Sequence, residues 1–152
     1  MKKHKKIRVY LDNCCLNRPF DDQQNFKIKL EAEAKLFVQQ KIKENEIELA
    51  WSYILEYENS ENPFVQKKET ISKWQSISKI DINENQKIIK TSEEICKLNI
   101  KHKDALHIAC AIEAKCDYFL TTDIFLIKKA HFIDQIIIMN PINFINELEV
   151  NL

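Results

Sequence analysis

Asp117-Tyr118-Phe119-Leu120-Thr121-Thr122-Asp123 is the most clearly strand-like stretch of the chain, with an aromatic and aliphatic centre that ends on an aspartate. Three consecutive bulky apolar residues place hydrophobic side chains on both faces of a strand, as in a sheet covered on both sides. Downstream, Ile136-Ile137-Ile138-Met139 reads as another strand, stopped by Asn140-Pro141 and followed by a last short helix. Upstream, helical patterns span about Glu84 to Leu98 and Lys103 to Lys115, and a weak strand spans Ile77 to Ile82. Further back, Glu46 to Trp51 reads as a strand, with Ser52 placed to cap the helix behind it, and Asn62-Pro63 breaks the chain ahead of another helix. Near the start, Ile7-Arg8-Val9-Tyr10-Leu11 is β-prone and ends at Asp12. Phe26, Leu30, Ala34 and Phe37 follow at helical spacing with charges between them. Apolar strands separated by helices predict a single α/β domain over residues 1–152, with a mostly parallel sheet of four or five strands.

Composition narrows the function. The chain has 152 residues, 45% hydrophobic and 30% charged, which suits one globular domain. No apolar run approaches the roughly 18 residues of a membrane span, and Met1-Lys2-Lys3-His4-Lys5-Lys6 is not followed by a secretory apolar stretch, so a cytoplasmic protein is expected. Glycine is absent, which excludes glycine-rich phosphate loops and with them kinase, P-loop and dinucleotide-binding chemistry. Five cysteines (Cys14, Cys15, Cys96, Cys110, Cys116) without a Cys-x-x-Cys pair read as reduced packing thiols, not as a zinc site. Lys plus Arg equals Asp plus Glu at 23 each, so the basic excess usual in a nucleic-acid binder is missing; Lys2 to Arg8 is the one basic segment.

Ligands collect at the carboxyl edge of an open parallel sheet. Asp12 and Asp123 each end a strand there. A single aspartate after a strand is ordinarily a turn former, so convergence carries the case. In the helix after the second strand, Trp51, Ile54 and Leu55 mark the apolar face. Glu58 projects onto that face, while Glu56 projects toward solvent. A carboxylate aimed at the sheet needs a cation, either a metal or a lysine or arginine. Asp104 opens the helix Ala105 to Ile112 and reads equally as an N-cap or as a fourth ligand. His107, one turn on, fits a hydrogen-bonded core residue better than a ligand. Such an all-oxygen set suits Mg2+ or Mn2+.

Val9-Tyr10-Leu11-Asp12-Asn13 resembles the opening strand of PIN domains. Ser52-Tyr53-Ile54-Leu55-Glu56-Tyr57-Glu58 resembles their second motif, Lys103-Asp104-Ala105-Leu106-His107-Ile108-Ala109 their third, and Asp117 to Asp123 their fourth. The resemblance implies a three-layer α/β/α fold and a metal-dependent endonuclease, commonly acting on RNA. By motif, Asp12, Glu58, Asp104 and Asp123 would be the acidic ligands, with Asn13, Thr121 and Thr122 in support. Many compact PIN proteins resemble VapC-type toxins silenced by an antitoxin, and similar proteins form homodimers. The segment Cys14 to Asp22 departs from the usual toxin opening; Arg18 is placed either to contact phosphate or to pair with Asp21 or Asp22. A non-catalytic PIN-like module that binds RNA or a protein partner is the competing expectation, and the neutral charge favours it.

Overall fold

The computed structural model describes residues 5–17 and 25–151, so the expected partners Arg18, Asp21 and Asp22 lie outside the described residues. The chain runs β1 (Arg8–Leu11), α1 (Asn13–Asn17), α2 (Phe26–Lys43), β2 (Glu48–Ser52), α3 (Tyr53–Ser60), α4 (Val65–Ile77) and β3 (Ile80–Ile82). It continues through α5 (Gln86–Cys96), α6 (His102–Glu113), β4 (Tyr118–Leu120), α7 (Ile124–Lys129), a 3₁₀ turn, β5 (Ile137–Met139) and α8 (Pro141–Asn151). The five strands form one parallel sheet in the order β3-β2-β1-β4-β5, inside a three-layer α/β/α sandwich. Among the described residues, no helix is long and apolar enough to cross a membrane.

That strand order positions the site. From β1 the chain works outward to β2 and β3, then returns to lay β4 on the other flank of β1. The order therefore reverses between β1 and β4, and the crevice at a reversal opens at the carboxyl ends of the two strands. Asp12 follows β1 and Thr121 to Asp123 follow β4. The two strands are locked in register, with Tyr10 opposite Phe119 and their rings stacked at 5.3 Å. The backbone N–H of Asp12 extends the ladder by donating to the Leu120 carbonyl at 3.2 Å.

The helices follow from their ends. Asn25, Ser52 and Asn85 each offer a side-chain oxygen to the first N–H groups of α2, α3 and α5. With no glycine available, the left-handed positions after α2, α5 and α6 fall to Asn45, Asn99 and Lys115. Asparagine tolerates that region; lysine does so at a cost of about 1–2 kcal/mol.

Helix α2 forms where expected, but its stripe is rotated. Phe26 is 75% exposed, and Leu30 and Phe37 are also exposed. The inward face is Glu31, Ala34, Lys35, Val38 and Ile42. Glu31 and Lys35 are each only 1% exposed, and polar bonds make this tolerable. Asn140 Nδ2 donates to Glu31 Oε2 at 2.7 Å, and Lys35 Nζ donates to the Cys14 carbonyl at 3.4 Å. Apolar periodicity misreads a helix whose charges point in and whose aromatic rings point out.

Candidate active site at the carboxyl edge of the sheet

Asp12 sits directly beyond β1 and is buried. Its Oδ1 accepts from the Cys15 N–H at 3.1 Å and from the Cys14 thiol at 2.7 Å. Both donors come from α1, a short helix that the sequence pattern does not announce, which turns back over the strand end. Burial raises the Asp12 carboxyl well above the usual range, Cys14 adds to the rise, and hydrogen bonds from Thr121 and Cys15 only partly offset it. The Cys14 thiol is pulled down to about 4 by the Cys15 hydrogen bond, against its own desolvation and with help from Asp12 and Thr122. Thr122 holds Cys14 from the other side, with its Oγ1 donating to Sγ at 3.1 Å. Cys15 is buried and donates to the Leu120 carbonyl at 3.3 Å.

The expectation of a purely oxygen-lined pocket is thus amended at Asp12. Among the described residues, Asp12, Cys14 and Cys15 are the one group whose potential ligand atoms all lie within 4.8 Å of one another. The four carboxylates are not drawn into one such shell. The five described cysteines are free thiols.

Glu58 and Glu56 separate as the helical geometry predicts: Glu56 is exposed, while Glu58 is half-buried and faces inward. Its partner is His107, neither a lysine nor an arginine. His107 Nε2 bonds Glu58 Oε1, and Asn13 Nδ2 donates to Glu58 Oε2 at 3.4 Å. Desolvation pushes the Glu58 carboxyl up, but His107, Lys103 and Asn13 outweigh it and leave a net lowering. Behind His107 stands Tyr10. The Tyr10 hydroxyl lies 2.6 Å from His107 Nδ1 and 2.7 Å from Ser52 Oγ, and Ser52 Oγ in turn accepts from the Leu55 N–H at 3.3 Å. Burial raises the Tyr10 phenol well above 10.0, so the hydroxyl keeps its proton and bridges Ser52 Oγ and His107 Nδ1, while the Glu58 carboxylate accepts from His107 Nε2–H. A continuous buried chain therefore runs from Ser52 through Tyr10 and His107 to Glu58. His107 is a hydrogen-bonded core residue, and the carboxylate it bonds is one of the four candidates.

Asp104 does not cap its helix. Lys101 occupies the cap position, α6 starts at His102, and Asp104 lies in the first turn. Desolvation raises its carboxyl; His107 opposes, and Asp123 and Glu58 add to the rise. Asp123 caps α7, its Oδ1 accepting from the Phe125 and Leu126 N–H groups at 3.0 and 3.1 Å, so Oδ2 is not engaged by these bonds. The Asp123 N–H donates to Thr121 Oγ1 at 3.1 Å. Thr121 therefore orients both Asp123 and Asp12, whereas Thr122 holds Cys14. Asp104 and Asp123 line a cleft of about 220 Å³ together with Lys101, Phe125 and Lys129. Asp104, raised by burial and by the nearby Asp123 and Glu58, belongs to a hard-donor set that a divalent cation would relieve.

Sequence reasoning missed Tyr10, Cys14, Phe125 and the two lysines. Tyr10 had one available signal, a hydroxyl within a strand otherwise buried on both faces.

No protein-family model matches the chain, and no curated protein matches it. Its fold is similar to that of a chain in the crystal structure of VapBC2 from Rickettsia felis bound to a DNA fragment from their promoter. The TM-score is 0.56, with 19% sequence identity over 88% of this chain and 98% of the other. At that identity the likeness is one of fold.

Proposed function

We propose that the protein is a Mg2+- or Mn2+-dependent endoribonuclease that hydrolyses RNA phosphodiester bonds, acting as the toxin of a toxin–antitoxin pair. The observation that supports this reading is the position of Asp12 directly after β1, where the strand order reverses, with Asp104 close to Asp123 and Glu58. The fold shared with a chain of VapBC2 supports the toxin role and an antitoxin partner. The exposed Phe26, Leu30 and Phe37 on α2 leave an apolar face for that partner or for a second copy of the chain.

Asp12, Asp104, Asp123 and Glu58 would hold the cations, which supply activation of a water and stabilisation of the leaving oxygen. The chain's own residues set the geometry. Thr121 fixes Asp12 relative to Asp123, and Asn13 and His107 hold the two oxygens of Glu58 apart. The buried Tyr10–Ser52 pair holds the His107 ring that bonds Glu58.

Cleavage of an RNA substrate by the parent, Asp12→Asn and Asp104→Asn is the test, with melting curves run alongside. Both variants should lose cleavage while melting at or above the parent temperature. Full magnesium-dependent activity in both would sink the assignment. The competing module reading rests on the zero net charge. It predicts no thermal shift with millimolar Mn2+, whereas a formed site raises stability because the ligand binds only the folded state.

A further inference from the structure

The cleft that Asp104 and Asp123 share is not lined by acid alone. Lys101 and Lys129 flank it, and Phe125 stands in its wall with 73% of its surface exposed. The backbone that carries the ring is held: Phe125 lies in the first turn of α7, its N–H donates to Asp123 Oδ1 at 3.0 Å, and the neighbouring Leu126 is buried in the core. An exposed aromatic side chain therefore stands two residues from a candidate ligand carboxylate. Among the described residues, neither Lys101 nor Lys129 is taken up in an ion pair. Both remain available to an anion at the rim.

An exposed flat ring, two unpaired ammonium groups and a volume of about 220 Å³ match one nucleotide of a single strand. The base takes the ring face and its phosphates take the lysines. A duplex cannot use such a wall, because its bases are already stacked on one another. Resting on the ribonuclease reading above, we propose that this cleft is the nucleotide subsite next to the scissile bond, which makes the substrate single-stranded RNA with an unstacked base on Phe125. The zero net charge then has a local explanation: cations are needed at this rim, not over the whole surface.

The test is binding of a fluorescein-labelled ten-nucleotide RNA of mixed sequence in Ca2+, read by anisotropy, with strand integrity checked on a gel. DNA of the same sequence and a ten-base-pair RNA duplex serve as comparisons. Phe125→Ala should weaken single-stranded RNA binding about 5- to 150-fold, the range for loss of one base–aromatic stack, and Phe125→Trp should restore it. Lys101→Ala combined with Lys129→Ala should lower the salt dependence of binding by about 0.7 for each phosphate left without its lysine. In cleavage, Phe125→Ala should raise KM with kcat held. Because Phe125 is exposed, unchanged melting separates loss of the subsite from loss of the fold. Equal affinity of Phe125→Ala and parent, an equal loss on duplex, or no change in salt dependence for the lysine pair overturns the subsite. Cleavage that survives Asp12→Asn overturns the ribonuclease reading instead, whatever Phe125 does. Tighter binding of DNA than of RNA overturns the assignment to RNA.

Discussion

Tyr10→Phe deletes one oxygen and leaves the ring stacked on Phe119, so its effect isolates the buried hydrogen-bonded chain behind Glu58. The hydroxyl has two partners, Ser52 Oγ at 2.7 Å and His107 Nδ1 at 2.6 Å, on residues that are 0% and 3% exposed. Stranding a buried polar group costs about 1–3 kcal/mol. Ser52 retains its bond from the Leu55 N–H and belongs at the low end, while His107 Nδ1 loses its partner outright. The sum is about 2–4 kcal/mol of stability, which for a domain of this size lowers Tm by roughly 5–12 °C. Thermal unfolding followed by circular dichroism reads this directly.

A second readout separates a relay from mere packing. If His107 transmits the loss to Glu58, then Tyr10→Phe and Glu58→Gln are coupled, and their double-mutant cycle shows about 0.5 kcal/mol or more of interaction. A Tm within about 2 °C of the parent, or strictly additive variants, refutes the argument that these four side chains act as one chain.

The remaining predictions concern the carboxylates and the turns. Asp104 and Glu58 should have opposite pH signatures in chelator. The Asp104 carboxyl is raised in the folded state, so its ionised form opposes folding, and Asp104→Asn should gain stability over the parent as pH rises from 4 to 7. Glu58 is lowered, so its contribution is present above the unfolded carboxyl range and is lost in acid; Glu58→Gln should lose stability over that same interval. Asp12→Asn should raise Tm in chelator and abolish the further rise that millimolar Mn2+ gives the parent, as read by differential scanning fluorimetry; an undiminished Mn2+ shift contradicts the placement of a cation at Asp12. Lys115→Gly relieves a left-handed lysine with φ of 59° and should stabilise by about 0.5–1 kcal/mol, measured by urea unfolding; a loss of stability would mean that the lysine side chain matters more than its backbone.

The strands were legible because each is a short apolar run ended by a polar residue: β1, β4 and β5 lie within their expected stretches, and β2 overruns its own by one residue, Ser52. The third began late: Ile77 belongs to the end of α4, and only Ile80 to Ile82 pair with β2. Helix α7 was missed because six residues after an aspartate give too little periodicity to detect. The choice of Glu58 over Glu56 was legible, since the angle from Trp51, Ile54 and Leu55 fixes which carboxylate faces in. The partner of Glu58 was not legible, because His107 is 49 residues away and nothing local pairs them. The same holds for Cys14, whose neighbour Thr122 is 108 residues distant. Sequence periodicity reports the face of an element; it is silent on which other element that face meets.

That distinction also accounts for the charge balance, which argued against nucleic acid when read over the whole chain. Net charge is an average, whereas phosphates are neutralised one at a time over distances shorter than the Debye length of about 8–10 Å. At the carboxyl edge, Glu58, Asp104 and Asp123 lie beside Lys101, Lys103 and Lys129, and Lys103 already acts on Glu58. Three acids and three lysines sum to nothing. They are interleaved: Asp104 and Asp123 line the same cleft as Lys101 and Lys129, and Glu58 is turned onto His107. Cations held by the acids would cancel their field and leave the lysines uncompensated. A neutral chain would then present a positive rim only once the site is filled, and RNA affinity should depend on the divalent cation even where no bond is cut.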